Sequence, residues 1–580
     1  MTIPRPEHPK PQFRRNHWLN LNGSWQFEID NGRSGLARGL AAEAAVLSGQ
    51  ILVPFCPESK LSGVEHKDFM YGLWYRRKVQ LTDEQCSGRV FLHFGAVDYE
   101  CYVYVNGHPA GYHRGGYVSF KLEITALVRP GENVITVNAL DDTRDPMIPR
   151  GKQCEGYFSA RCDYTRTTGI WQTVWLEFTP KAYIKSIRMD GDPRTGQLLL
   201  TAQLEGEGSF TACAFYEGKP VGSLTVPRCA GQLSAAIGLR EVHLWEPGNG
   251  RLYDLQLEFG EDRVETYFGL RTIRLDGLKF RINEKSVFQR LILDQGFYPD
   301  GVYTAPSDAE LEADIRRSMD MGFNGARLHE KIFEERFLYH CDRLGYLVWG
   351  EYPNWGLDHS RPEAIYSMLP EWIEEVQRDY NHPSIIGWCP FNETWDRDNR
   401  KQYDDLIRQV YRTTKALDPG RPCIDTSGNF HVETDIYDIH DYEQDPNVFA
   451  SHFANLKNGE IYERNDELVT RRYPKRQTFP GGAMFISEFG GARMSAEKAT
   501  GDRNKPWGYG ENVADTEAFF ARFRGLVDAL LDHECIFGFC YTQLTDIEQE
   551  QNGLYTFDRQ PKLDPIRVKP VVSRKAAIEE

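Results

Sequence analysis

Two glutamates stand where apolar runs end. Ile385-Ile386-Gly387-Trp388-Cys389-Pro390 leads into Phe391-Asn392-Glu393-Thr394, and Ala483-Met484-Phe485-Ile486-Ser487 leads into Glu488. Each run is continuous and apolar rather than alternating, which predicts a strand buried on both faces, as in a parallel sheet. Two carboxylates facing one pocket from such strand ends are what cleavage of a glycosidic bond requires. One protonates the leaving oxygen and the other attacks the anomeric carbon. At roughly 5 Å apart the pair would retain anomeric configuration through a covalent intermediate, whereas a wider separation would leave room for a water and invert it. The same strand-end logic makes Asp294 and Gln295, after Phe288 to Leu293, candidates for paired hydrogen bonds to sugar hydroxyls. Gln543, Asp546 and Glu548 follow the run that ends at Tyr541, and one or two of them are expected in the site. Trp355 and Tyr541 are candidate stacking platforms.

These residues need a scaffold that brings distant strand ends together. From about Asp276 onward the chain alternates strand and helix. Ser307-Asp308-Ala309-Glu310 forms a capping box opening a helix with Leu311, Ile315 and Met319 on one face. Helices are expected at Glu335 to Leu344, Glu371 to Tyr380, Tyr403 to Leu417 and through Phe519, Phe523 and Leu530. The strand candidates are Phe288 to Leu293, Phe323 to Leu328, Tyr346 to Gly350, the two glutamate strands, Cys423-Ile424-Asp425, Asp435 to His440 and Ile536 to Tyr541. Eight such strands form the inventory of a (β/α)8 TIM barrel, whose chemistry sits at the carboxyl ends of its strands.

Before the barrel the pattern is β after β. Residues 1–180 hold short alternating runs, including Tyr102-Val103-Tyr104-Val105 entering the hairpin signal Asn106-Gly107, and predict a jelly-roll β-sandwich. Residues 181–275 predict an immunoglobulin-like β-sandwich. The expected domains are therefore 1–180, 181–275 and a catalytic barrel over 276–580.

A net charge of −16 repels phosphate, so neither nucleic acid nor an anionic membrane is an expected partner. The 12 cysteines show no C-x-x-C pair, and several lie in apolar runs, which points to reduced thiols packed as small hydrophobes. The polar, proline-rich start Met1-Thr2-Ile3-Pro4-Arg5-Pro6 lacks the apolar core of an export signal, so a cytoplasmic protein is expected.

The chain resembles glycoside hydrolase family 2, the family of the β-galactosidases, β-glucuronidases and β-mannosidases. The matching stretches are Trp18-Leu19-Asn20-Leu21-Asn22-Gly23-Ser24-Trp25, Val53-Pro54-Phe55, Trp74-Tyr75-Arg76-Arg77, Gly169-Ile170-Trp171, Asn392-Glu393, Ser487-Glu488-Phe489-Gly490, and Asn552-Gly553-Leu554 before Asp558-Arg559. The resemblance implies Glu393 as general acid/base and Glu488 as nucleophile. It implies Asn392 as the partner of the sugar 2-hydroxyl, Tyr442 as a contact of the nucleophile, and His329 as a sugar neighbour, although Glu330-Lys331 replaces the usual text after that histidine. His440 is expected to face the same pocket. An acid protonated at neutral pH needs a raised pKa, for which the surroundings of Trp388 and Trp395 and the second carboxylate would serve.

The resemblance also implies exo action on a terminal β-linked sugar, with no cofactor. The glucuronidases of the family carry Asn-x-Lys before the glycine that is Gly553 here, and this chain has Glu550-Gln551-Asn552 instead. A neutral β-galactoside is therefore the first expectation. A β-uronide follows, galacturonide ahead of glucuronide, with Lys331 or Arg327 supplying the cation, and then mannosides or arabinosides. The rival classes are a metal-dependent barrel hydrolase, for which no H-x-H or H-E-x-x-H occurs in the barrel, and a carbohydrate-binding protein without catalysis, which would have lost an acid. A carbohydrate is the expected partner, with self-association left open.

Overall fold

The computed structural model describes residues 3–394, 401–428, 430–462, 479–499 and 501–579. In the amino-terminal sandwich, a six-stranded antiparallel sheet runs in spatial order Gly49–Val53, Gly23–Ile29, Leu73–Leu81, Gly131–Leu140, Glu100–Val105 and His108–Arg114. It faces a four-stranded sheet of Trp18–Asn20, Val174–Thr179, Arg89–Phe94 and Phe120–Glu123. Trp25, Tyr75, Leu92, Val103, Val137 and Leu176 fill the space between them. The Asn106-Gly107 turn has φ of 52° and 79°, the pair of positive angles that matches the twist of a two-residue hairpin.

The second sandwich is built around two long strands, Gln197–Tyr216 and Lys219–Gly238, paired to each other. Their register shifts between Gln203 and Phe210, and the bend lets one strand serve two layers. Its first half pairs with Tyr183–Asp192 and its second with Tyr253–Phe259, which pairs in turn with Asp262–Phe268. Arg15 ties the two sandwiches together. Its guanidinium donates to Glu177 at 2.9 Å on one side, and to Asp262 at 2.8 Å and the Ile184 carbonyl at 2.6 Å on the other.

The barrel contains seven parallel strands in the order Ile385–Cys389, Leu347–Glu351, Gly325–Leu328, Gln289–Asp294, Ile536–Thr542, Met484–Gly490 and Tyr437–Asp441. Cys423-Ile424-Asp425, expected as a regular eighth strand, instead closes the ring as an irregular segment. Parallel bridges Trp388 to Cys423 and Asn392 to Ser427 hold one edge. On the other edge side chains replace the backbone ladder, with Ser427 Oγ donating to Asp438 Oδ2 at 2.5 Å and the Gly428 N–H to the same carboxylate at 3.2 Å. Gly428 has φ of +67°, and a Cβ there would come within 2.3 Å of the His440 ring. A glycine is what lets the backbone pass this histidine.

Aromatic rings fill the barrel axis. Phe280, from the small sheet Ile273–Asp276, Lys279–Ile282 and Lys285–Ser286, lies 5.8 Å from Phe537 and closes the amino-terminal end. Phe537, Phe485 and Trp349 continue the stack upward. The outer helices are Asp308–Asp320, Glu335–Leu344, Ile365–Asp379, Asp404–Leu417, Pro446–His452, Thr516–Leu531 and Pro565–Val572 among the described residues. Ser307 caps the first, its side chain accepting from the Glu310 N–H at 3.3 Å. The third starts at Ile365 rather than Glu371, running through Pro370.

Between Leu140 and Gly169 the first sandwich sends out a long loop without regular strands that docks on the carboxyl-terminal mouth of the barrel. The Arg150 N–H donates to the Trp355 carbonyl at 2.8 Å, Tyr164 donates to Glu550 at 2.5 Å, Thr165 to Glu548 at 2.5 Å, and Trp507 to the Arg161 carbonyl at 2.8 Å.

Candidate active site

Glu393 follows the Ile385–Cys389 strand, and Glu488 lies within Met484–Gly490. An oxygen of each carboxylate and a ring nitrogen of His440 all lie within 4.8 Å of one another. His440 Nδ1 is 2.9 Å from Glu393 Oε1 and 3.4 Å from Glu488 Oε2, while its Nε2 sits 3.0 Å from Ser427 Oγ. Glu393 has a positive φ of 50°, fixed on both sides: the Asn392 N–H donates to Asn354 Oδ1 at 2.7 Å and the Glu393 N–H to the Ser427 carbonyl at 3.0 Å.

Glu488 is held from several directions. Tyr442 donates its hydroxyl to Oε2, and Arg327 Nη1 stands 3.3 Å from Oε1. Arg327 is 1% exposed and also donates to Glu351, to the Ser487 carbonyl at 2.8 Å and to Asn392 Oδ1 at 3.2 Å. Burial alone would lower its pKa, yet Glu351 and Glu488 drive it well above the usual value, so the guanidinium stays charged behind the carboxylate. His329 Nδ1 lies 3.1 Å from Glu351 and its Nε2 4.0 Å from Glu488. Burial lowers the pKa of His329, which favours the neutral ring. Burial likewise raises the Tyr442 pKa well above the usual value, with the Glu488 charge adding to it, so the phenol remains a donor. Tyr442 stacks on Tyr509 with ring centroids 3.5 Å apart. Asn392 Nδ2 is buried and has no protein partner among the described residues.

Asn392, His329, His440 and Tyr442 are thus gathered around the two acids. Gln295 and Gln543 lie together one layer away, with Gln295 Nε2 donating to Gln543 Oε1 at 2.5 Å and to Tyr164 at 3.0 Å, and Gln543 Nε2 to Asn552 at 2.8 Å. Trp355 lines a cavity of about 300 Å³ together with Glu393, Arg150, Arg161 and His359.

Several expectations are corrected. Asp294 accepts from the Gly296 N–H at 2.9 Å and sits among the charges of Asp314, Arg559 and Lys331 on the helix side of its strand, so it is not brought to the pair. Lys331 donates to the carbonyls of Gly296 and Tyr303 at 2.6 and 2.8 Å inside a cage of Trp171, Tyr303 and Phe333. Burial there depresses its pKa to about 7. Tyr541 packs against Phe489 and Phe523 as a core ring between strand and helix, and offers no platform. Trp388 likewise turns to the helix layer against Trp372, while Trp395 lies outside the described residues. Asp546 pairs with Lys562 at 2.5 Å, and Glu548 is taken by Thr165.

Glu351 was missed, although it ends the apolar run Leu347–Glu351 just as the two reactive candidates end theirs. Lys152 was also missed, because it comes from the sandwich loop. Its Nζ lies 3.3 Å from the Trp355 ring centroid. Glu393, His440 and Glu488 are the only described group whose donor atoms could converge on a cation, but Arg327 and Tyr442 already serve the Glu488 oxygens.

A family model described as glycosyl hydrolases family 2, sugar binding domain, matches residues 64–180, and one described as glycosyl hydrolases family 2, TIM barrel domain, matches residues 307–462. A β-glucuronidase of Streptococcus agalactiae is 22% identical over 94% of both chains. A putative β-glucuronidase of Formosa agariphila is 27% identical over 60% of this chain, and a β-galactosidase of Thermoanaerobacter pseudethanolicus 26% identical over 62%. The chain spans 44% and 49% of those two relatives' own lengths. The fold matches the Ruminococcus gnavus β-glucuronidase in complex with uronic isofagomine, with a TM-score of 0.80, 18% identity, and coverage of 99% of this chain and 100% of that one.

Proposed function

Because the chain belongs to glycoside hydrolase family 2 and is by that membership a β-glycosidase, we propose that it is a retaining exo-β-glycosidase with Glu393 as acid/base and Glu488 as nucleophile. Retention rests on the approach of the two carboxylates to within 4.8 Å, which leaves no room for a water between Glu488 and the anomeric carbon. In the first step the Glu393 carboxylic acid gives its proton to the glycosidic oxygen as the C1–O bond breaks. Glu488 forms an ester to C1 on the opposite face, and the aglycone leaves as an alcohol. In the second step the Glu393 carboxylate takes a proton from water, the hydroxide attacks C1, and the ester bond to Glu488 breaks. Esterification removes the Glu488 charge, so the pKa of Glu393 falls as its role changes from acid to base. Arg327 and Tyr442 orient Glu488 for attack, and Asn392 Nδ2, buried without a protein partner among the described residues, would donate to the sugar 2-hydroxyl.

Charge decides the sugar. Glu550 argued against a uronide in the sequence because a bare carboxylate there would repel one. In the folded chain both its oxygens are turned to the protein, one accepting from Tyr164 at 2.5 Å and one from Asn552 at 2.8 Å; burial raises its pKa, while Lys152 and these two bonds act to lower it. With both oxygens engaged by protein donors rather than open to the sugar, a β-uronide becomes the first choice. A neutral β-galactoside stays second, in keeping with relatives named for both activities. The proton spectrum of the first-formed sugar tests the mechanism: the β-anomer supports it, and an initial α-anomer refutes it.

A further inference from the structure

We propose that Lys152, carried by the loop of the amino-terminal sandwich, is the cation that receives the carboxylate of an acidic glycon, and so sets the choice of uronide over neutral hexose. This deepens, and rests on, the assignment of a retaining site at Glu393 and Glu488. Lys152 is only 5% exposed. Among the described residues its ammonium makes no hydrogen bond and no ion pair, and it stands over the face of Trp355, 3.3 Å from the ring centroid. Trp355 shares the cavity wall with Glu393, and the charge of Lys152 is felt by His329, Glu330, Glu393 and Glu550. The ammonium therefore stands at the catalytic mouth with donors to spare.

Arg161 shares the cavity wall, but three other cations near the site are already committed. Arg327 serves Glu351, Glu488 and Asn392, Lys331 is caged behind the strand, and Arg150 is bound to Asp163 at 3.2 Å and to the Gln153 carbonyl. Burial opposes the charge of Lys152, but Cys162, Glu330, Glu393 and Glu550 raise its pKa in net, so the ammonium stays charged, and a carboxylate offers it charge-assisted hydrogen bonds that a hydroxymethyl group cannot match. Among the described residues Glu330 Oε1 is also buried without a hydrogen-bond partner, and burial raises its pKa well above the usual value, which disfavours a competing charge there.

The test compares wild-type protein, Lys152→Met and Lys152→Arg on 4-nitrophenyl β-D-glucuronide, β-D-galacturonide and β-D-galactoside. The ratio of kcat/KM for the better uronide to that for the galactoside should fall about 100-fold in Lys152→Met and recover in part in Lys152→Arg. A ratio unchanged across the three proteins overturns the proposal. If Lys152→Met fails to fold, wild-type protein decides alone: the free uronic acid should inhibit at least about tenfold more tightly than the matching neutral hexose, and equal inhibition overturns the proposal. Failure of the underlying mechanism would look different, as turnover surviving in Glu488→Gln or an inverted first product, whichever sugar is preferred.

Discussion

Arg327 Nη1 lies 3.3 Å from Glu488 Oε1, on a guanidinium that is sealed from solvent and anchored on its far side by Glu351. A fixed positive charge beside the proposed nucleophile orients one of its oxygens, while Tyr442 takes the other. The interaction with Glu351 would hold the guanidinium in place if Glu488 lost its charge on forming the proposed ester.

Replacing Glu488 by Gln keeps the shape and removes the proposed nucleophile. Turnover of every β-glycoside should fall by about 10⁴-fold or more, with the thermal unfolding midpoint close to that of the wild type. Full activity in a verified Glu488→Gln preparation would end the assignment.

Glu393→Gln removes a proton donor that matters in proportion to the basicity of the leaving group. With alkyl aglycones kcat/KM should fall about 10²- to 10⁴-fold, and with a dinitrophenyl aglycone the loss in glycosylation should be far smaller. Equal losses across the leaving-group series would remove Glu393 from the acid role.

Tyr442→Phe deletes the hydroxyl donated to Glu488 while leaving the ring stacked on Tyr509. We expect kcat/KM to drop roughly 10- to 100-fold, as for loss of one hydrogen bond to a charged group. An unchanged rate would mean that this contact orients nothing.

His431 lies between Asp425 at 2.7 Å and Asp438 at 3.0 Å. Burial opposes its charge, but the two carboxylates push its pKa up to about 10. Its folded pKa is raised above the unfolded value, so its contribution to stability is complete below about pH 6.5 and is lost as pH climbs toward 10. Asp438, for which burial is outweighed by His431 and its hydrogen bonds, falls to about 2 and contributes in the opposite sense, losing its share only in strong acid. Unfolding midpoints from pH 6.5 to 10 should decline in the wild type and decline less steeply in a less stable His431→Gln variant. Parallel curves would show that the imidazolium contributes nothing.

Arg15→Met would leave Glu177 and Asp262 buried with one cation fewer at the joint of the two sandwiches. Denaturant unfolding should show a loss of about 3–5 kcal/mol, the cost of stranding buried charge. A change below about 1 kcal/mol would mean that water replaces the guanidinium at this joint.

Much of the layout was legible in the chain. Continuous apolar runs marked the parallel strands, and Glu393 and Glu488 stood out as acids ending them. The same clue applied to Glu351 and went unused because that run was read only as far as Gly350. Asp294 shows where strand-end logic fails: in a strand buried on both faces the pattern does not reveal whether the last side chain turns inward or toward the helices, and this one turns to the helices. Lys331 failed for a related reason, since a lysine two residues past a site histidine can be aimed into an aromatic cage that only the packed domains create. Lys152 carried no local signal at all, because its segment has no period and reaches the pocket only through domain docking.

That docking gives the protein a divided pocket. The barrel carries the two acids proposed to react, while the amino-terminal sandwich contributes one rim through a stretch free of ladder constraints between Leu140 and Gly169. Substitutions, insertions or deletions in that rim can retune which glycans are accepted without disturbing bond cleavage, so diversification and catalysis can evolve on separate parts of one polypeptide.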